Sequence, residues 1–210
     1  MSSQYMRTLN DRDNSKMKKL SREDLFSLEE YSTKRKDYRA SVIEHKKNRQ
    51  VALGPNATLY FEDRLTLQYQ IQEMLRIEKI FDADGINEEL GAYNPLIPDG
   101  SNLKATFMIE YSDVEERQKV LAKLGGIEDT VWIQAEGYDK IFAIADEDMD
   151  RNREEKTSAV HFMRFEFSDE MIAGLKSGKV LSMGIDHEGF KQLVSPIDSE
   201  SQAALVKDFD

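Results

Sequence analysis

The sequence predicts an α+β protein in which N-terminal helices precede a mixed, mainly antiparallel sheet with further helices packed on it. Apolar residues recur at helical spacing up to residue 81, and strict two-residue alternation begins at Leu103. Turn residues then separate the strands from short capped helices. A chain of 210 residues can bury roughly 70% of its unfolded surface in one domain. We therefore predict a single domain over residues 20–210.

The first half of the chain is predicted to be mainly helical. Residues 1–19 lack hydrophobic periodicity and carry mixed charge, which predicts a flexible tail. Ser21 stands three residues before Asp24, the spacing of a capping box, so a helix is expected to open there. The elements that follow are a helix over 33–48, two strands within 51–61, the most strongly periodic helix over 64–81 and a long irregular stretch over 82–102.

The second half is predicted to alternate between strands and helices. Leu103, Ala105 and Phe107 alternate with polar residues in a half-buried strand, and turn signals divide the chain that follows. The further predicted elements are a helix capped by Ser112 and Glu115, a hairpin within 130–145, a charged loop over 146–156, a strand over 157–167, a helix over 169–176, a strand over 179–185 and a last helix capped by Ser199 and Gln202.

One short pattern occurs twice in this half. Residues 109–113 (IEYSD) recur 56 residues later as 165–169 (FEFSD), and each copy ends a predicted strand and caps a predicted helix. Two pseudo-equivalent strand–helix–strand units would produce this echo, and so would shared capping chemistry alone.

Composition and charge restrict the possible functions. The chain has no cysteine, which excludes disulfides, thiolate metal sites and cysteine nucleophiles. The net charge of −11 argues against nucleic-acid binding, although residues 1–50 carry 13 Lys+Arg against 8 Asp+Glu. The first 19 residues contain no apolar core of a signal peptide, and no apolar run is long enough to span a membrane. We therefore expect a cytoplasmic protein that binds neither nucleic acid nor membrane.

The predicted helix over 64–81 supplies the main candidate site. At 100° per residue, Glu78 falls in the middle of an apolar face, and a buried carboxylate must be paired, metal-bound or protonated. Arg64, Glu73 and Arg76 lie on the same helix and complete a candidate buried polar site. The competing interpretation of Glu78 is a structural ion pair with a buried arginine. Glu73 and Arg76, which stand three residues apart, can also bind each other.

Two histidines extend the candidate site to a metal centre. His161 alternates with the apolar residues of its strand, and His187 follows a predicted strand end. Glu78, His161 and His187 would together suit iron or zinc in ligand type. A satisfied core histidine and a solvated turn are the respective alternatives. No complete catalytic or nucleotide-binding motif occurs in the chain, so the catalytic residues and the cofactor stay open.

Several runs of residues resemble a bacterial family of unknown function, numbered 3501. The resemblance covers about residues 18–210, and the runs that carry it are 51–55 (VALGP), 61–66 (FEDRLT), 72–78 (QEMLRIE), 92–100 (AYNPLIPDG) and 155–162 (EKTSAVHF). Members of this family are typically encoded beside a rubrerythrin and a cysteine-rich iron–sulfur oxidoreductase. The resemblance therefore implies a role in peroxide defence or electron transfer, with one of these proteins as the partner.

Two hypotheses follow from the sequence. The first is an accessory or interaction protein of an iron-dependent redox or peroxide-stress system, which docks its partner through the 82–102 segment or the basic N-terminal helices. The second is a metal- or small-ligand-binding enzyme or sensor with a buried Glu/His site. The absence of catalytic motifs favours the first hypothesis, and the charge within an apolar helix face favours the second.

Overall fold

The computed structural model describes residues 18–145 and 157–210, and it confirms the α+β class. N-terminal helices precede the sheets, as predicted. The six α-helices of the described residues are α1 (Leu28–Lys46), α2 (Arg64–Glu78), α3 (Ala83–Tyr93), α4 (Val114–Leu121), α5 (Asp169–Lys176) and α6 (Ser199–Leu205). The nine strands are β1 (Gln50–Ala52), β2 (Ala57–Phe61), β3 (Asn102–Ile109), β4 (Val131–Ala135), β5 (Ile141–Phe142), β6 (Ile144–Ala145), β7 (Val160–Glu166), β8 (Leu181–His187) and β9 (Phe190–Val194).

The strands form two sheets rather than one. The order is β1-β2-β3-β7-β6 in the first sheet and β5-β4-β8-β9 in the second, and every pairing between described strands is antiparallel. Side chains from both sheets, among them Leu59, Phe107, Phe165, Ile133 and Met183, belong to one continuous core. The sheets thus bury one face each in a shared interior, which the alternating sequence pattern requires.

The two predicted strand–helix–strand units have the same topology. β3-α4-β4 and β7-α5-β8 each begin in the five-stranded sheet, pass through a helix and end in the four-stranded sheet. β3 pairs with β7, and β4 pairs with β8, so each strand lies beside its counterpart. The capping signals that suggested the echo are present, because Asp113 and Ser168 accept hydrogen bonds from the first turns of α4 and α5.

The helices α1, α2 and α3 form a second layer with its own apolar cluster. Leu67, Ile71 and Leu75 of α2 are buried there. The helical wheel of residues 64–81 predicts that Gln72 lies with Gln68 and Lys79 in a polar, solvated sector. Gln72 is instead fully buried, and its amide binds both the backbone N–H and the carbonyl of Phe26 at 3.0 and 3.1 Å. The segment before α1 therefore covers the polar face of α2, and the buried amide is satisfied.

Several predicted elements differ in the structure. The 82–102 stretch is not irregular, because Asp82 caps α3 by accepting a hydrogen bond from Gly85 N. The capping box at Ser21 is present but starts only a single 3₁₀ turn, and α1 begins after a second cap, Ser27. The caps of α4 and α6 are Asp113 and Asp198 rather than the neighbouring serines. The predicted 146–156 loop and most of the 1–19 tail lie outside the described residues.

Candidate functional site

The helix that carries the predicted site ends at Glu78, earlier than the sequence suggested. Lys79 adopts the left-handed conformation with a φ of 57°, and Ile80 N donates a hydrogen bond to Leu75 O at 3.0 Å. Glu78 is exposed on the last turn. The predicted burial of Glu78 is therefore wrong, because the apolar layer that covers α2 ends at Leu75.

Glu73 lies inside a cluster of donors that joins α1 to α2. It accepts hydrogen bonds from Tyr31 Oη at 2.6 Å, from Arg35 Nε and Nη2 at 2.7 and 2.8 Å and from Arg76 Nη2 at 3.2 Å. The hydrogen bonds from Arg35 first, and those from Tyr31 and Arg76, lower the pKa of Glu73 to about 2. Both carboxylate oxygens are occupied, so this arrangement supports the ion-pair interpretation of Glu73 and Arg76 rather than an acid/base role.

The two predicted histidine ligands lie on different strands and have different hydrogen-bond partners. His161 is buried on β7, with Nε2 at 3.1 Å from Thr157 Oγ1 and 3.0 Å from Ser158 O. His187 lies at the end of β8 and accepts a hydrogen bond from Gly189 N at 3.1 Å. In residues 18–145 and 157–210, no three side chains of the metal-ligating kind come together. Glu78, His161 and His187 therefore do not form one site, and iron or zinc binding stays a prediction.

Arg64, the fourth member of the predicted site, lies at the opposite end of α2 in a cleft of about 700 Å³. The cleft opens where the helical layer meets the C-terminal residues, between the end of α1, the start of α2 and the turn that follows α6. We call it the junction cleft. Its charged and titratable lining consists of Glu44, His45, Arg49, Asp63, Arg64, Lys207 and Asp208.

A histidine–carboxylate pair is the chemically distinctive feature of the junction cleft. His45 Nε2 lies 2.6 Å from Asp63 Oδ2, and the other Asp63 oxygen accepts a hydrogen bond from Thr66 N as the N-cap of α2. Burial would raise the pKa of Asp63, but the hydrogen bond from His45 and the charge of Arg49 lower it to about 2. Asp63 is thus a fixed carboxylate that orients the imidazole of His45.

Arg49 lies behind this pair and links three parts of the chain. Its side chain is 3% exposed, and the guanidinium donates to the carbonyls of Phe61 and Glu62 at 3.1 Å and to both carboxylate oxygens of Asp208. Burial opposes the charge of Arg49, but the carboxylates of Asp208 and Asp63 outweigh it and raise the Arg49 pKa. The end of β2, the start of α2 and the C-terminus are therefore held by one cation.

The lowered pKa of Asp63 predicts that the free energy of unfolding falls at acid pH. A carboxylate with a depressed folded-state pKa stabilises the protein above the unfolded-state value of about 3.9 and loses that contribution as pH falls toward 2. The variant Asp63→Asn keeps a good N-cap residue but does not ionise. We compare the free energy of unfolding of the wild type with that of the variant. The difference between them should be larger at pH 6 than at pH 2.5 by up to about 2 kcal/mol. Urea unfolding at both pH values measures this difference, and an equal difference at the two pH values would contradict it.

An exposed apolar surface lies at the far end of α2. Ile77 is 59% exposed and Phe81 is 70% exposed, on either side of the helix terminus. We call these two residues the apolar tip. Five acidic and two basic residues lie around it in sequence, at Arg76, Glu78, Lys79, Asp82, Asp84, Glu88 and Glu89. Burial, together with the charges of Glu78 and Glu88, raises the pKa of Glu89.

The comparisons with known proteins concern the chain as a whole. The model of the family described as "Protein of unknown function (DUF3501)" matches residues 19–209. The chain belongs to this family. The resemblance noted in the sequence is thereby confirmed over nearly the whole described chain. None of the helices in the described ranges has the length and apolar character needed to cross a bilayer.

A solved structure shares the fold of this family member. It is a crystal structure of a protein of unknown function from Burkholderia pseudomallei K96243, which is 51% identical to this chain with a TM-score of 0.88. The alignment covers 92% of this chain and 100% of that chain. No curated protein matches the chain. The function of this DUF3501 protein must therefore be argued from its own surfaces.

Proposed function

We propose that this protein is an accessory protein of an iron-dependent redox or peroxide-stress system, and that it binds its protein partner at the apolar tip. The observation that carries the proposal is the exposure of Ile77 and Phe81 at one helix end. Neither residue contributes to the buried clusters of the fold. Exposed isoleucine and phenylalanine side chains near each other in sequence cost solubility without stabilising the chain, so a binding role gives their exposure a physical reason.

The chemistry of the tip specifies the kind of partner surface. Large aromatic side chains with a surrounding polar rim are the usual energetic centres of protein interfaces. The rim here is acidic, so the partner surface should be apolar in the middle and basic at its edge. Family context supplies the candidates, namely the iron–sulfur oxidoreductase or the rubrerythrin. The apolar tip directly precedes the 82–102 segment, which is one of the two docking regions that the sequence predicts.

The variant Phe81→Ser tests this surface. We expect the dissociation constant for the partner to rise about tenfold or more, because truncating an aromatic centre of an interface typically costs 1–2 kcal/mol or above. The measurement is isothermal titration of the purified rubrerythrin and iron–sulfur oxidoreductase of the same organism with wild-type protein and variant. Affinity should also fall with added salt, since the acidic rim acts through exposed charges.

A matched control comes from another exposed side chain. Leu193 on β9 is 66% exposed, so Leu193→Ser removes a comparable apolar group from a different surface. The dissociation constant of the Leu193→Ser variant for the partner should equal that of the wild type. The proposal fails if neither protein binds the wild type, or if Phe81→Ser and Leu193→Ser bind with equal affinity.

A further inference from the structure

We infer that the junction cleft is a binding site for a small organic anion, whose carboxylate or phosphate group is held by His45 and Lys207. This site is separate from the proposed partner surface. Arg64 and Glu78 stand at opposite ends of the 15-residue helix α2, which is about 20 Å long at 1.5 Å per residue. The two proposals therefore rest on different residues and can be tested independently.

The size and position of the junction cleft suit a small molecule. Its volume of about 700 Å³ lies within the range of roughly 300–1,000 Å³ that is typical of small-ligand pockets. It is formed by elements that are distant in sequence, since α1, the start of α2 and the residues after α6 all contribute to its wall. Such sites between layers are common positions for ligands, because rigid elements hold the lining side chains.

His45 is arranged to present one ring nitrogen to a ligand. Nε2 is bound to Asp63, and Asp63 is itself held by Thr66 N and lies 3.4 Å from Arg49 Nε. The Nδ1 atom of His45 makes no hydrogen bond to any residue of the described ranges, and the side chain is 35% exposed. In the protonated ring both nitrogens are donors. Asp63 then accepts from Nε2, which leaves the Nδ1 proton for an oxyanion.

The charges of the cleft explain why the ligand should be an anion. Asp63 and Asp208 are already bound by His45 and Arg49, so they have little capacity left for a cationic ligand. Arg64 and Glu44 are also committed, because Arg64 pairs with Asp24 and Glu44 pairs with Lys47. Lys207 is exposed and makes no ion pair with another residue of the described chain. The charged groups of the lining that remain available are therefore Lys207 and, when it is protonated, His45, which match a carboxylate or a phosphate.

Titration with simple oxyanions tests the site. Inorganic phosphate and acetate are added separately to ¹⁵N-labelled protein at constant ionic strength, and the ring nitrogens of His45, His161 and His187 are followed by NMR. We expect saturable shifts of the His45 ring, with little change at buried His161 or at His187. Saturation with phosphate alone assigns a phosphate group, and saturation with acetate alone assigns a carboxylate. Saturation with both supports the general oxyanion site.

Two lysine variants distinguish binding in the junction cleft from a general effect of removing a positive charge. Lys207→Ala should weaken binding of the saturating anion about tenfold, since a charge-assisted hydrogen bond is lost. Lys191→Ala, which removes an exposed lysine on β9, should leave the affinity unchanged. Both residues are exposed, so neither substitution is expected to affect folding. The inference is overturned if neither anion saturates the His45 shifts, or if the two lysine variants lose affinity equally.

Discussion

Replacing Arg49 with methionine is expected to lower the free energy of unfolding by about 3–5 kcal/mol. The reason lies in what the substitution leaves behind. Asp208 and Asp63 would keep their carboxylates in a buried position without the cation, and the carbonyls of Phe61 and Glu62 would lose their donors. Removing one partner from a buried ion pair costs more than the pair itself contributes. Urea unfolding followed by far-UV circular dichroism measures the loss.

Two further variants distinguish this explanation from a general effect of removing charge. Lys119→Met breaks an exposed pair with Glu115 on α4 and should cost less than about 0.5 kcal/mol. The double variant Arg49→Met with Asp208→Leu removes both charges and should recover part of the stability. A loss below about 1 kcal/mol for Arg49→Met would show that the buried cation is not the link between β2 and the C-terminus.

Replacing Gly184 with alanine is expected to lower the free energy of unfolding by about 1–3 kcal/mol, because β8 has no room for a β-carbon there. A carbon at that position would lie 2.5 Å from the carbonyl oxygen of Gln192 and 2.5 Å from the indole of Trp132. The backbone of β9 cannot yield without breaking the β8–β9 ladder. Trp132 is the single tryptophan of the chain, so its fluorescence reports both the unfolding midpoint and any displacement in the folded state.

Gly91 provides a control, because its replacement with alanine should not lower the free energy of unfolding. It lies inside α3, and a β-carbon built there meets no atom within 4 Å. Gly91→Ala should leave stability unchanged or raise it by up to about 1 kcal/mol, because alanine loses less backbone freedom in a helix. If both alanine variants changed stability in the same direction, steric exclusion at Gly184 would not be the cause.

Local elements were largely predictable from the sequence. α5 spans 169–176 as predicted, because Ser168 supplies a cap and apolar spacing continues to a glycine. The strands around the 54–56 turn and the alternating strand β3 were also predicted, since turn residues and two-residue alternation act over short distances. The strand β9 was not predicted, because Phe190–Val194 lacks an alternation strong enough to distinguish it from a turn.

The candidate sites were less predictable. The helical wheel of α2 placed Glu78 inside and Gln72 outside, and the structure has them the other way round. A wheel assigns faces by apolar content alone, whereas the segment before α1 buries the polar face by binding the Gln72 amide. His45 stands at helical spacing with Tyr38 and Val42, which predicts a helix but no partner for its ring. That partner, Asp63, lies 18 residues away as the N-cap of the next helix, and no local pattern links the two.

The sequence by itself determined the α+β class, the order of helices before strands and most local elements, because these depend on periodicity, caps and turns among neighbouring residues. It indicated the family through the runs of residues that resemble it. Only the tertiary structure decided the division into two sheets, the separation of Glu78 from His161 and His187, and the junction cleft. Those features arise from pairings such as Arg49 with Asp208, which are 159 residues apart. The free energy of such a contact depends on how whole layers pack, so no local pattern of residues encodes it.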